Sequence, residues 1–286
     1  MVESIKELRK ICKKNGIKEK GLAALYRYVS IYLLKILLYF PLNANQVSIL
    51  GVELGIIASV FFLFGNPLYF LIGGILLFFY TLFDFCDGEV ARYKKIEGGL
   101  GGLFDWSNCL PRPLVIFFLS FVFLGDFTNL NKFLLIFFGF IFSFFWFLNN
   151  IFWRLRKNLS KFNNMDANHE KKIFIKVSKT FNKKITNIFF NFFIHARKIL
   201  KKFQISYLNF NKLEKESILL KILLLIRKTQ SAKLFPFLFI FSGLFDFLLI
   251  GPNYITFGVW IYLGISGIVL FVIEEYMIKK ITNNYN

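Results

Sequence analysis

Long apolar stretches separated by short polar connections dominate the hydropathy pattern of this chain. The stretches that carry the fewest charged positions cover residues 46–64, 68–91, 100–124, 131–153, 232–250 and 254–273. A helix of about 20 apolar residues spans the roughly 30 Å hydrocarbon core of a bilayer. These stretches do not alternate between apolar and polar positions as barrel strands do, so the pattern predicts an all-α fold with six transmembrane helices.

A further apolar stretch, residues 22–40, precedes these six and carries Arg27 and Lys35. We predict a helix that lies in the membrane interface, with both cations reaching the lipid headgroups, and that ends at Pro41. A seventh span is the alternative, but it would place the basic N-terminus on the opposite side of the membrane from the other basic segments. Residues 1–42 are therefore expected to form a cytoplasmic or interfacial segment.

Charge indicates which side of the membrane each connection occupies. The net charge is +19, and nine of the 36 Lys and Arg residues lie in the first 45 positions, while twenty lie at 154–233. The short turns at 65–67, 125–130 and 251–253 carry none. Because basic loops stay in the cytoplasm, both termini are expected there, which requires an even number of spans. The basic surplus is then a topology signal and an attraction to anionic membrane lipids, and no nucleic-acid partner is expected.

Four segments are expected along the chain. Residues 1–42 form the N-terminal segment, and residues 43–155 contain the first four spans. Residues 156–231 are rich in Lys and Asn interleaved with aliphatic residues and Phe, which predicts a basic cytoplasmic amphipathic insertion. Residues 232–286 contain the last two spans and a tail.

Acidic residues lie where the second and third predicted spans approach the cytoplasmic side. Asp84 and Asp87 share a helical face, and Asp105 enters the next span at a similar depth. Three carboxylates at one depth repel each other unless a cation lies between them, and hard oxygen ligands select Mg²⁺, Mn²⁺ or Ca²⁺. Such ions, with Arg92 as a fixed cation, suit the neutralisation of a diphosphate during phosphoryl transfer. The carboxylates alone suit a small ion- or proton-coupled transporter equally well.

The spacing of these residues resembles the signature of the CDP-alcohol phosphatidyltransferase family, D-x2-D-G-x2-A-R-x8-G-x3-D-x3-D. Seven of its eight fixed positions match, and they read Asp84-x2-Asp87-Gly88-x2-Ala91-Arg92-x8-Gly101-x3-Asp105. The segment 45–48 also resembles the family's Pro-Asn-x-Val-Thr stretch, with Ala44 in place of Pro and Ser48 in place of Thr. The resemblance covers residues 43–155, and it extends to the last two spans by hydropathy only.

The resemblance implies an enzyme of phospholipid biosynthesis that transfers a phosphatidyl or phosphoalcohol group from a CDP-linked donor to an acceptor hydroxyl and releases CMP. It implies a pair of Mg²⁺ or Mn²⁺ ions bound by Asp84, Asp87 and Asp105, with Asp105 also in the catalytic group. It also implies a homodimer, since relatives tend to pair. The residues that it places against the CDP moiety are Asn45, Ser48, Gly88, Ala91, Arg92 and Gly101.

Four charged residues outside the signature carry separate expectations. Arg112 lies one turn beyond position 109 and is a candidate for contact with a phosphate, although pairing with an acidic neighbour where Pro111 and Pro113 kink the span suits it equally well. Glu89 is expected to face solvent or the interface. Glu53 and Asp246 are intramembrane carboxylates that we expect to pair with polar neighbours.

The eighth signature position is Cys109, where the family has the aspartate that the resemblance implies is the general base. A free thiol has a pKa of about 8.5, and its thiolate is a soft ligand that suits Mg²⁺ poorly. Three interpretations stay open. Another group or a metal-bound water takes the proton, or Cys109 itself is the base. In the third, the protein is a catalytically impaired relative that binds CDP-lipid or scaffolds a partner.

Overall fold

The described part of the computed structural model is all-helical. It comprises residues 3–12, 21–95, 110–126, 132–162, 226, 231, 233–249 and 253–283. Within these residues the chain forms α-helices and one 3-10 turn at Phe62–Phe64, with no strand, which confirms the predicted all-α class. The helices are α1 (Ile5–Ile11), α2 (Leu22–Leu37), α3 (Ala44–Phe61), α4 (Pro67–Tyr93), α5 (Pro111–Asp126), α6 (Lys132–Phe162), α7 (Phe235–Leu248) and α8 (Tyr254–Asn283).

The six predicted apolar stretches all contain a described helix, α3 to α8. Four of these helices are long and apolar enough to cross a bilayer, within Ala44–Phe64, Pro67–Tyr93, Lys132–Asn150 and Tyr254–Ile273. The other two, α5 and α7, are apolar but shorter, with 16 and 14 residues. The count of six spans therefore stays a prediction.

The start of α5 differs from the predicted kink. α5 begins at Pro111, so Pro111 and Pro113 lie in its first turn, where a missing N–H removes no intrahelical hydrogen bond. Gly55 of α3 makes room for this turn, because a Cβ at Gly55 would lie 2.6 Å from Pro111 Cγ. The first turn of α5 therefore packs directly on α3, and the stretch that precedes residue 110 lies outside the described residues.

α4 is the helix on which most of the others pack, since it contacts α1, α2, α3 and α7. Two glycines bring its backbone against that of α7. A Cβ at Gly74 would lie 2.8 Å from the backbone nitrogen of Ile240, and a Cβ at Gly243 would lie 2.8 Å from that of Leu71. In lipid, small residues allow helices to approach closely and gain dispersion contacts that replace a hydrophobic driving force.

α1 and α2 are packed against the C-terminal half of α4. Leu8 and Cys12 of the α1 segment share one buried cluster with Leu34 of α2 and Val90 of α4. Tyr26 also connects α2 to the segment just before α7, because the Tyr26 hydroxyl donates to the carbonyl oxygen of Lys233 at 3.0 Å. α2 is therefore held by buried contacts on one side, whereas its opposite side exposes Tyr28, Tyr32 and Ile36.

The end of the bundle opposite to residues 84–93 is joined by polar contacts. Gly65 has a φ of 71° in the turn between α3 and α4, and its carbonyl oxygen accepts a hydrogen bond from Asn253 Nδ2 at 2.8 Å. Asp246 of α7 is buried and caps α8, accepting from the backbone nitrogens of Ile255 and Thr256 and from the Thr256 hydroxyl. This capping confirms the expected polar partner of Asp246. Glu53 is exposed on α3 and has no hydrogen bond or ion pair among the described residues, so the expectation of a polar partner is not met for Glu53 there.

Replacing Asp246 by Ala leaves the buried N–H of Thr256 and the part-buried N–H of Ile255 at the start of α8 without their acceptor. Loss of a cap and burial of unsatisfied donors each cost about 1–2 kcal/mol, so we expect Asp246→Ala to lower the melting temperature in detergent by several degrees. Glu53→Ala, which removes an exposed carboxylate from another helix, is the matched control and should melt like the wild type. Equal melting of Asp246→Ala and wild type would contradict the capping role.

Candidate functional site

The described signature residues share one face of α4. Asp84 precedes Asp87 by three residues and Gly88 by four, and Ala91 follows Asp87 by four and Gly88 by three, which stacks the four residues along one side of a helix. All four are half-buried. The helix continues to Tyr93, so this face extends over its last three turns.

Ser48 of α3 contacts this face directly. Its hydroxyl oxygen lies 2.6 Å from Asp87 Oδ2, and Ser48 itself is buried. A short hydrogen bond from a hydroxyl to a carboxylate is among the stronger ones, so it fixes the orientation of the Asp87 side chain. Lys94 joins the same two helix ends, because its Nζ donates to the carbonyl oxygen of Leu42 at 2.7 Å. Asn45 is half-buried in the first turn of α3.

Arg92 lies alongside Gly88. Its Nε donates to the carbonyl oxygen of Cys12 at 2.8 Å, and its Nη1 lies 3.4 Å from the position that a Cβ at Gly88 would occupy. The absence of a side chain at Gly88 therefore leaves space that the guanidinium group covers. A guanidinium group beside two carboxylate-bearing turns can bind a phosphate through paired N–H donors.

Glu89 is buried, so the prediction that it faces solvent or the interface is wrong. The side chain is fully buried, and its Oε1 accepts from Arg27 Nη1 and from Ser30 Oγ, both at 2.8 Å. Arg27 consequently points at α4, which also contradicts its predicted reach to the headgroups. The physical reason is the packing of α2 on α4, because a buried carboxylate requires a cation and hydrogen-bond donors.

α1 is fastened to the same end of α4. The Cys12 thiol lies 3.6 Å from the carbonyl oxygen of Glu89, and burial raises the pKa of Cys12 to about 11. Cys12 is therefore a protonated thiol at neutral pH and donates to that carbonyl. The Tyr93 hydroxyl donates to Glu3 Oε2 at 2.6 Å, and this hydrogen bond holds the pKa of Glu3 below its usual range.

Arg112 is buried at the second position of α5. Its guanidinium carbon lies 5.5 Å from the centre of the Tyr80 ring, a cation–π distance. Its Nη2 has no hydrogen-bond partner among the described residues. Tyr80 precedes Asp84 by one turn, so Arg112 lies about 6 Å deeper along α4 than the first carboxylate.

Two of the three predicted metal ligands, Asp84 and Asp87, lie within the described residues. Asp84 and Asp87 present hard oxygen donors on one helical face, which suits a divalent cation. No group of three His, Cys, Asp or Glu side chains capable of holding a metal occurs within the described ranges. The predicted third ligand Asp105, together with Gly101 and Cys109, lies outside these ranges, so the two-metal site stays a prediction.

The contact between α1 and α4 can be tested through Cys12. A buried thiol with a pKa of about 11 should react with iodoacetamide at pH 7 at least about a hundredfold more slowly than an exposed thiol. Lys6→Cys provides an exposed thiol on the same helix as the reference, and peptide mass spectrometry follows both. If Cys12 is alkylated as fast as the residue-6 thiol in folded protein, the described packing of α1 is incorrect.

Comparison with known proteins identifies the family. The family model for CDP-alcohol phosphatidyltransferase matches residues 42–195, which is more than half of the chain. The match contains α3 and the whole signature, and it continues past residue 155 into the segment predicted as an insertion. No curated protein matches the sequence. With its four long apolar helices and this match, the chain is an integral membrane protein that belongs to the CDP-alcohol phosphatidyltransferase family.

Proposed function

We propose that this protein transfers a phosphatidyl or phosphoalcohol group from a CDP-linked donor to an acceptor hydroxyl and releases CMP, as a step in phospholipid biosynthesis. The observation that supports this most is the signature face of α4. There Asp84 and Asp87 lie one turn apart, the Arg92 guanidinium covers Gly88, and Ser48 orients the Asp87 carboxylate. Membership of a phosphotransferase family adds to this support.

The donor diphosphate would lie along this face. Ala91 carries a small side chain, so phosphate oxygens can approach the helix closely there, whereas the space at Gly88 is covered by the Arg92 guanidinium. Arg92 meets the phosphates with its guanidinium donors, since its Nε is already placed by the Cys12 carbonyl. Asn45, Ser48 and Gly101 are proposed to contact the rest of the CDP moiety. Arg112, buried one turn deeper than Asp84, is proposed to contact a second phosphate.

The carboxylates give the site its metal preference. Asp84, Asp87 and Asp105 are the residues that would hold a pair of Mg²⁺ or Mn²⁺ ions, which when bound neutralise the diphosphate and the departing CMP. Ser48 keeps Asp87 in one orientation for this purpose. The acceptor oxygen forms a bond to the phosphorus that carries the lipid or alcohol group, and the bond from that phosphorus to the CMP oxygen breaks.

Removal of the proton from the acceptor hydroxyl is the step in which this chain departs from its family. The family has an aspartate where this chain has Cys109, so the proton passes to another group, or to the Cys109 thiolate. General-base help contributes about 10²–10⁴-fold to the rate. A protein without an efficient base would still bind the donor, and slow transfer or binding without turnover is the corresponding alternative function.

The charge pattern supports the placement of this site at the cytoplasmic leaflet. With six spans and both termini in the cytoplasm, the ends of α3 and α4 that carry Ser48 and Asp87 face the cytoplasmic headgroups. There a lipid-embedded donor and a polar acceptor can meet. We propose a second copy of this chain in the membrane as a partner, and we propose no nucleic-acid partner.

CMP release tests the proposed reaction. Purified protein in detergent, supplied with CDP-diacylglycerol or CDP-alcohols, a panel of acceptors, and Mg²⁺ or Mn²⁺, should release CMP with at least one acceptor. Asp87→Asn should lower the rate at least about a hundredfold, because metal-ion stabilisation of the transferred phosphoryl group contributes several kcal/mol. Glu53→Gln is the matched control and should keep the wild-type rate.

Other outcomes of this assay identify the alternatives. CDP binding without CMP release would favour the catalytically impaired relative. Cation flux in proteoliposomes that is independent of cytidine nucleotides, with neither binding nor release, would contradict the proposal in favour of a transporter.

Restoring the family residue at position 109 tests the base. If the missing aspartate limits the rate, Cys109→Asp should raise CMP release at least about tenfold, since a carboxylate takes up the acceptor proton more readily than a neutral thiol. Cys109→Asn, similar in size but unable to act as a base, is the control and should give no gain. A folded Cys109→Asp protein with the wild-type rate would exclude a limiting base at this position.

A further inference from the structure

We propose that Arg27 is a positioning residue for Arg92. By neutralising Glu89, Arg27 keeps the Arg92 guanidinium over Gly88, where it meets donor phosphates, instead of on the Glu89 carboxylate. This inference rests on the proposed function, because it requires that Arg92 bind the diphosphate of a CDP-linked donor. It gives a role in substrate binding to α2, which lies outside the segment that the family model matches.

Glu89 lies between two arginines. On α4 it precedes Arg92 by three residues, a spacing at which two helical side chains are neighbours and opposite charges attract. From α2, Arg27 Nη1 and Ser30 Oγ both engage Glu89 Oε1. The second oxygen, Oε2, is buried and accepts no hydrogen bond from any described residue. Glu89 therefore retains one unused acceptor atom on the helix that carries Arg92.

One contact of Arg92 is with a neutral acceptor. Arg92 Nε donates to the carbonyl oxygen of Cys12, and the Nη end of the group lies over Gly88. A carboxylate carries a full negative charge, so it attracts a guanidinium more strongly than a carbonyl dipole does, above all where water is excluded. If the charge of Glu89 were unmatched, its carboxylate would compete with the Cys12 carbonyl for Arg92 and draw the guanidinium away from Gly88.

The Arg27–Glu89 ion pair weakens the attraction of Glu89 for Arg92, and its effect is large because the carboxylate is fully buried. Water cannot screen the charge of Glu89 at zero exposure, so a nearby protein cation must balance it. Arg27 meets that need from a different helix, and its own side chain is only 26% exposed. The charge balance at Glu89 therefore depends on α2, and the direction of Arg92 depends on that balance.

Two single substitutions break the same ion pair and separate positioning from simple stabilisation. Arg27→Gln leaves the Glu89 charge to attract Arg92, so we expect CDP to bind at least about tenfold more weakly in the presence of Mg²⁺. Glu89→Gln removes the competing charge, so CDP affinity should stay within about threefold of the wild type. The double variant Arg27→Gln/Glu89→Gln should recover the affinity lost in Arg27→Gln.

Isothermal titration calorimetry of the full-length protein in detergent measures the three affinities, and a melting curve accompanies each variant. Lys35→Gln is the matched control, since it removes a cation from the same helix without touching Glu89, and it should bind CDP like the wild type. Should Arg27→Gln fail to fold, the double variant is compared with Glu89→Gln, since both lack the competing charge. Removing Arg27 in the Glu89→Gln background should leave the CDP affinity within about threefold, and a loss of about tenfold there would overturn the proposal, because Arg27 would then act otherwise than through Glu89.

The outcomes separate this inference from the proposed function. If the wild type binds CDP and Arg27→Gln binds it equally well, the positioning role is overturned alone. Equal weakening by Arg27→Gln and Glu89→Gln indicates a structural ion pair and also overturns it. If the wild type itself binds no CDP, the proposed function fails, and the positioning role fails with it.

Discussion

The arrangement of the candidate site depends on a carboxylate buried where α2 meets α4. Glu89 accepts hydrogen bonds from Arg27 and Ser30 at a place without solvent, so α2 must stay packed on α4 for the charge to be tolerated. α1 packs on both α2 and α4, and its C-terminal end brings the Cys12 carbonyl to the Nε of Arg92. α1 and α2, which the family signature does not include, therefore determine the orientation of Arg92, the last signature residue of α4.

Two kinds of force hold α4 in place. Apolar contacts occur on every side, including the cluster that Leu34 of α2 shares with Val90, and polar contacts are added on one side only. Against α7, Gly74 and Gly243 let the backbones touch, so dispersion contacts dominate. Against α1, α2 and α3, hydrogen bonds and an ion pair cross the helix boundaries near residues 87–94. Apolar packing thus fixes where α4 runs, while the polar contacts fix which way its functional side chains point.

Hydropathy and signature spacing predicted the all-α class, the places of the apolar helices and the family. These features follow from local chemistry, since apolar length and fixed residue spacing are visible in the sequence alone. The environment of Glu89 was predicted wrongly because its burial arises from contact with α2, which is distant in sequence. Ser30 of α2, which donates to Glu89, precedes it by 59 positions. Arg27 within an apolar stretch was the available signal, because a cation among buried positions implies an anionic partner. The start of α5 at Pro111 likewise depends on space that Gly55 provides on another helix.

The contact between Asn253 and Gly65 affects how the site can open. Gly65 is the tip of the α3–α4 hairpin, and the Asn253 side chain anchors that tip to the start of α8. A hairpin anchored at its tip can spread only at its open end, where Ser48 faces Asp87. Separation of α3 from α4 at that end would break the hydrogen bonds of Ser48 with Asp87 and of Lys94 with the Leu42 carbonyl, while the contact at the tip remains in place.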